Sequence, residues 1–175
     1  MFDPRLLAQA AELLDRCRAA QLKLALAESC TGGLVAAALT EIAGASDVLE
    51  RGFVVYSNAA KTALLGVPAP LLQREGAVSE AVARAMTQGA LLRAPVDLAL
   101  AVTGIAGPGG GSASRPVGLV HLAAARKGGA TLHRAARFAG DRNAVRLASV
   151  AAGFELLDQL LDQATAPMTG SPGAR

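Results

Sequence analysis

The sequence predicts an α/β fold in a single domain, a mixed β-sheet flanked by helices. Strand-like apolar segments at 22–28, 53–56 and 97–102 are separated by stretches of helical periodicity, the alternation that parallel strands need. Two further strands, over 117–125 and 130–138, are joined by Lys127-Gly128-Gly129, a hairpin turn that brings antiparallel pairing into the sheet. A chain of 175 residues, 52% of them hydrophobic and 18% charged, is long and apolar enough to bury one core. No internal repeat or linker divides it. The domain is expected over 1–163, with a disordered tail over 164–175, where TAPMTGSPGAR loses all periodicity.

Asp3 followed by Pro4 starts the first helix, a capping carboxylate and then a ring already fixed at helical φ. Behind them Leu6, Leu7, Ala10, Leu13, Leu14 and Cys17 recur at helical spacing, so Cys17 belongs to a packing face. Leu22, Leu24 and Leu26 alternate along a strand that runs to Glu28, and the polar turn 29–33 leads into the small apolar helix LVAAALTEIAG. The strand FVVY ends at Tyr56; Ser57 or Asn58 caps a short helix that stops at Gly66 and Pro68. Ser79 opens a helix to about Arg93. The strand DLALAV then delivers Thr103 to the glycine-rich stretch 104–111. After the hairpin, Asp141 caps a last helix with Val145, Ala148, Ala152, Leu156 and Leu160 on its apolar side.

Several function classes are excluded by composition. The formal net charge of +3 and pI of about 9.3 come from scattered Lys and Arg, without the concentrated stripe of a nucleic-acid binder. They offer at most mild steering toward an anionic ligand. The start MFDPRLLAQAAELL lacks a signal peptide's basic flank and apolar stretch. No apolar run reaches the roughly 18 residues of a membrane span. The two cysteines, Cys17 and Cys30, form no C-x-x-C pair, and the two histidines, His121 and His133, have no metal-ligand spacing. A reducing cytoplasm and no metal or cofactor are expected.

Chemistry collects where strands end, as it does in open α/β sheets. The first turn offers Ser29, Thr31, Gly32 and Gly33 at a helix start, where outward N–H groups can hold a phosphate or an oxyanion. The second contributes Tyr56 and, five residues on, Lys61; the third adds Thr103, Gly104 and Gly107. A serine hydroxyl needs a base, and Lys61 is the lysine closest to a strand-end cluster; burial would leave part of it neutral and able to accept the proton. Tyr56 could relay that proton or protonate a leaving group. Arg142 and Arg146 lie on one helix face, and Arg142, a cation in the first turn, opposes the helix dipole and calls for a compensating anion. Each residue also has a plainer role: Ser29 as a helix cap, Lys61 as an exposed helix residue, Tyr56 as packing.

Together these segments resemble the nicotinamide-nucleotide amidohydrolase family, the domain also found at the carboxyl end of the competence/damage-inducible protein CinA. The resemblance is carried by Ala27-Glu28-Ser29-Cys30-Thr31-Gly32-Gly33, Tyr56-Ser57-Asn58-Ala59-Ala60-Lys61, Leu65-Gly66-Val67 and Gly76-Ala77-Val78-Ser79-Glu80. It continues through Val102-Thr103-Gly104-Ile105-Ala106-Gly107-Pro108-Gly109-Gly110, Pro116-Val117-Gly118 and Gly140-Asp141-Arg142, covering about residues 5–162. It implies metal-free hydrolysis of the carboxamide of nicotinamide mononucleotide to nicotinic acid mononucleotide and ammonia, in pyridine-nucleotide recycling. It implies Ser29 as nucleophile, Lys61 and Tyr56 as its proton-handling partners, Thr103 and Arg142 as further site groups, and a homodimer in a stand-alone form. One departure is Ser114-Arg115-Pro116, where members commonly place an acidic residue and a lysine before Pro-Val-Gly. The competing expectation is a non-catalytic nucleotide-binding sensor or partner module.

Overall fold

Residues 2–165 are described by the computed structural model. Helix α1 (Pro4–Ala19) begins as expected, the Asp3 carboxylate accepting from the Arg5 amide at 2.7 Å. It is followed by β1 (Leu24–Glu28), α2 (Leu34–Thr40), a short 3₁₀ turn (Ala45–Asp47) and β2 (Leu49–Val54). Then come α3 (Asn58–Leu65), α4 (Ala69–Glu75), α5 (Glu80–Arg93), β3 (Leu98–Gly104), β4 (Leu119–Arg126), β5 (Thr131–Arg137) and α6 (Arg142–Thr165). The expected tail lies largely outside the described residues.

The five strands form one sheet in the order β2-β1-β3-β4-β5. Strand β1 pairs in parallel with β2 and β3, while β4 runs antiparallel to both β3 and β5, so the sheet is mixed as predicted. The carboxyl ends of β1, β2 and β3 therefore share one edge, and β4 starts from it. Among the described residues, no helix is long and apolar enough to cross a membrane.

The two faces of the sheet differ in side-chain size. Leu24, Leu26, Leu98, Leu100, Val102, Val120 and Leu122 fill one face against α1, α2 and α6. The other presents Ala25, Ala27, Ala99, Ala101 and Ala125 to the side where α3 and α5 pack. Small side chains let those helices sit close, and α3 and α5 are themselves tight: a Cβ built on Gly89 would lie 2.1 Å from the Leu65 carbonyl oxygen.

Two elements differ from expectation. Strand β2 starts at Leu49, not at Phe53, and ends at Val54, not at Tyr56. It is an edge strand whose Glu50, Arg51 and Gly52 face solvent, so its first half lacks the apolar signal of a buried strand. The chain then leaves the sheet after the Val55 amide bonds the Glu28 carbonyl at 2.8 Å. Helix α4 was not expected, because Gly66 and Pro68 read as a stop. Pro68 is its N-cap residue and Pro70 falls in its first turn, where a missing N–H costs nothing.

Candidate active site

Ser29 follows directly on β1 and is held in line with the sheet by its amide, which bonds the Val102 carbonyl of β3 at 2.9 Å. The chain then turns through two left-handed glycines, Gly32 (φ +60°) and Gly33 (φ +96°), before α2 begins. The amide of Gly32 bonds the Ser29 carbonyl at 3.1 Å. The amides of Gly33, Val35 and Ala36 donate to the buried carboxylate of Glu28 at 3.0, 3.1 and 3.0 Å. The amides expected at this turn for a substrate anion are thus largely used inside the protein. Those of Cys30 and Thr31 go to no backbone carbonyl and lie against the Cys30 sulfur. Burial pushes the Cys30 thiol up to about 11, so it stays protonated and is not a competing nucleophile.

Lys61 comes from the first turn of α3, which is capped by the Ser57 hydroxyl accepting from the Ala60 amide at 3.0 Å. It is only 1% exposed. Its Nζ lies 3.0 Å from Ser29 Oγ and donates to the carbonyls of Val55 at 2.9 Å and Tyr56 at 3.4 Å. No carboxylate pairs with it among the described residues. Burial lowers its pKa below 10.5. Two carbonyls account for two N–H bonds, so a neutral amine turns its lone pair toward Ser29. The expected serine–lysine partnership is present in space.

Tyr56 is placed differently from its partners. It is 61% exposed, and its hydroxyl accepts from the Arg142 guanidinium at 2.9 Å; no hydrogen bond links that hydroxyl to Ser29 or Lys61 among the described residues. Arg142 also donates to the Gly107 carbonyl at 2.8 Å, while Asp141 spends its carboxylate on the Ala144 amide at the start of α6. Among the described residues, Arg142 therefore has neutral partners only. Cys30, Tyr56, Gly104, Gly107, Gly110 and Arg142 contribute to the walls of a cavity of about 210 Å³, which reaches Cys30, the residue after Ser29. A larger groove of about 510 Å³ lies between α3 and α4, away from the serine–lysine pair.

Gly104 and Gly107, in the wall of the smaller cavity, pack closely on neighbouring residues. A Cβ on Gly104 would lie 2.7 Å from Val120, and one on Gly107 (φ +82°) 2.6 Å from Val117. Thr103 is buried on the same sheet face as Lys61 and spends its hydroxyl on the Ala77 carbonyl at 2.8 Å. Thr31 is buried too, but its hydroxyl has no hydrogen-bond partner among the described residues. One turn along α6 from Arg142, Arg146 donates to the Thr31 carbonyl at 2.8 Å.

Glu28 was missed in the sequence. Glu28 stands in the opening motif, yet its partners are backbone amides five to eight residues on, and no side-chain pattern signals them. Arg146, expected on the same helix face as Arg142 from its spacing, does reach the turn that bears Ser29. The two histidines, which look isolated in the sequence, meet across the β4–β5 hairpin with His121 Nδ1 3.0 Å from His133 Nε2. His133 Nδ1 lies 3.3 Å from the Glu80 carboxylate. Among the described residues, no group of three or more His, Cys, Asp or Glu could hold a metal ion.

Comparison with known proteins bears on this geometry. The CinA C-terminal domain matches residues 7–161. The chain is 52% identical over 153 residues to a CinA-like protein of Mycolicibacterium vanbaalenii, covering 87% of this chain and 35% of that one. It is 56% identical over 121 residues to the nicotinamide-nucleotide amidohydrolase PncC of Enterobacter agglomerans, covering 69% of this chain and 74% of the relative. The chain thus spans about a third of the CinA-like relative and most of the amidohydrolase. Among solved structures, the competence/damage inducible protein CihA from Agrobacterium tumefaciens superposes with a TM-score of 0.90 at 48% identity, over 93% of this chain and 99% of that one. A CinA superfamily protein from Escherichia coli gives 0.85 at 36% identity, over 91% and 94%. With the family domain spanning nearly every described element, the chain belongs to the CinA C-terminal domain family.

Proposed function

We propose that this chain is an amidohydrolase that converts nicotinamide mononucleotide to nicotinic acid mononucleotide and ammonia, with Ser29 as nucleophile and Lys61 as its base. The observation that carries this reading is the 3.0 Å contact between Ser29 Oγ and a buried lysine without a counter-ion. A pure binding module has no use for a desolvated amine aimed at a hydroxyl. The name of the PncC relative supplies the substrate class.

In this mechanism neutral Lys61 takes the Ser29 proton as Oγ attacks the carboxamide carbon. The amides of Cys30 and Thr31, which no carbonyl takes, are the candidates to hold the oxyanion. Collapse breaks the C–N bond, and the proton on Lys61, passed directly or through Tyr56, leaves with ammonia. Water then attacks the acyl-serine, giving its proton to Lys61; the C–Oγ bond breaks, the proton returns to Ser29, and the nicotinate carboxylate departs. The cavity of about 210 Å³ is smaller than a pocket enclosing a whole nucleotide. It suits the pyridine carboxamide, leaving ribose and phosphate toward the exposed Tyr56 and Arg142. A guanidinium whose partners here are all neutral can offer a phosphate charge-assisted bonds.

The test is ammonia release from nicotinamide mononucleotide by the purified chain and by Ser29→Ala, with and without chelator. Chelator-resistant turnover that vanishes in Ser29→Ala is expected. Wild type that binds the nucleotide without turning it over would make this a sensor or partner module instead.

A further inference from the structure

The turn bearing Ser29 contains a buried carboxylate that the serine–lysine mechanism does not use. Glu28 is 1% exposed and has no cationic partner among the described residues. Its Oε2 accepts from the amides of Gly33 and Val35, and its Oε1 from that of Ala36. Helix α2 has Gly33 at its cap position, which offers no side-chain oxygen. The last residue of β1 therefore does what a cap residue ordinarily does. To reach it the chain must wrap around the carboxylate, and the left-handed Gly32 and Gly33 make that path.

Ser29 sits inside the loop so closed. Its amide is tied to β3 and its carbonyl to the Gly32 amide, so its backbone is fixed from the sheet and from the turn. We propose that Glu28 is a positioning residue for the reaction, acting through the turn it closes: it sets the direction of Ser29 Oγ toward Lys61. It also separates two sets of amides. Those of Gly33, Val35 and Ala36 are closed to any substrate anion, and those of Cys30 and Thr31 stay outside the carboxylate's reach. A substrate phosphate must then be held elsewhere than at the start of α2.

This rests on the reading of Ser29 as an activated nucleophile. Replacing one carboxylate oxygen by NH₂ sets a donor against an amide donor inside a buried turn and leaves that amide unsatisfied. The turn relaxes, and the 3.0 Å approach of Ser29 to Lys61 opens.

The experiment compares wild type with Glu28→Gln, both as the full chain. A fluorophosphonate, a general probe for activated serines, is followed by intact-mass spectrometry for rate constant and end point, beside ammonia release from nicotinamide mononucleotide. Glu28→Gln is expected to reach the wild-type end point with a rate constant lower by about 100-fold, the order of loss that a displacement near 1 Å brings. The kcat for ammonia release should fall in parallel, with KM within about threefold of wild type. If Glu28→Gln does not fold, Glu28→Asp keeps the charge, withdraws it by one methylene and gives the same comparison. A wild-type labelling rate in the variant overturns the proposal. So does an unchanged rate with a reduced end point, since that means Glu28 serves folding alone. Wild type labelled at Ser29 without releasing ammonia leaves the Glu28 comparison readable and removes the substrate assignment. Wild type unlabelled at Ser29 overturns both.

Discussion

Lys61 is buried among neutral groups: two carbonyls and a serine hydroxyl surround its Nζ. Burial lowers its pKa from 10.5, so the neutral fraction that can accept the Ser29 proton exists at lower pH than for a free lysine. Activity is therefore expected to rise with pH along one acid limb that ends below 10.5, with Lys61 deprotonated on the active side. Lys61→Arg should abolish turnover by about 1,000-fold or more, because a guanidinium stays charged and cannot serve as base. The check is kcat/KM against pH for wild type beside single-pH rates for Lys61→Arg; an active arginine variant would remove Lys61 from the base role. Ser29 and Lys61 were legible because both are polar residues next to the carboxyl ends of strands, where an open α/β sheet gathers its chemistry. Glu28 was not, since a carboxylate bonded to backbone amides leaves no mark in side-chain spacing. The Tyr56–Arg142 contact was not legible either, since it joins the ends of two elements 86 residues apart.

At the scale of elements, the packing of α3 on α5 decides how Lys61 is presented to the sheet. Gly89 of α5 lies so close to the last turn of α3 that an added Cβ would be 2.1 Å from the Leu65 carbonyl oxygen. On a free helix Gly→Ala stabilises by about 1 kcal/mol. Here the contact is with backbone, so the helices must separate, and overpacking of this kind costs about 1–3 kcal/mol. Gly89→Ala is expected to lower the thermal midpoint in spite of its better helix propensity, and to reduce activity by shifting α3. A raised midpoint by calorimetry would show that the two helices have slack. Nothing in the local sequence marks Gly89, which reads as a mild weakness in a helical run. Helix α4 was hidden for a related reason: a proline can mark the end of one helix or the start of another, and the short run Leu71–Glu75 is too brief to show a period of its own. Helices α1, α5 and α6 were legible because Asp3, Ser79 and Asp141 sit at their starts as capping residues.

For the whole molecule, the buried ionisable groups make stability depend on pH with slopes of known sign. His121 and His133 share a 3.0 Å contact with Glu80, Arg84 and Arg115 around them, and burial lowers both imidazoles below 6.5. The unfolded chain then binds more protons than the native one below 6.5, so stability is lost as pH falls through that window. Lys61 acts in the same direction at higher pH: the unfolded lysine keeps its proton up to 10.5 while the native one has begun to release it, so stability rises with pH. The thiols of Cys17 and Cys30, both pushed from 9.0 up to about 11 by burial, oppose this above pH 9, where the unfolded thiols ionise first. Denaturant unfolding from pH 5 to pH 10 should therefore show stability climbing through the histidine window and on toward pH 9, then flattening or turning down. Lys61→Met should lose the part of the alkaline climb below 10.5 that Lys61 contributes while keeping the histidine slope. A His121→Phe, His133→Leu double variant should do the reverse. A wild-type curve superimposable on that of Lys61→Met up to pH 10 would mean that Lys61 keeps its proton in the folded chain, and with that the serine would have no base.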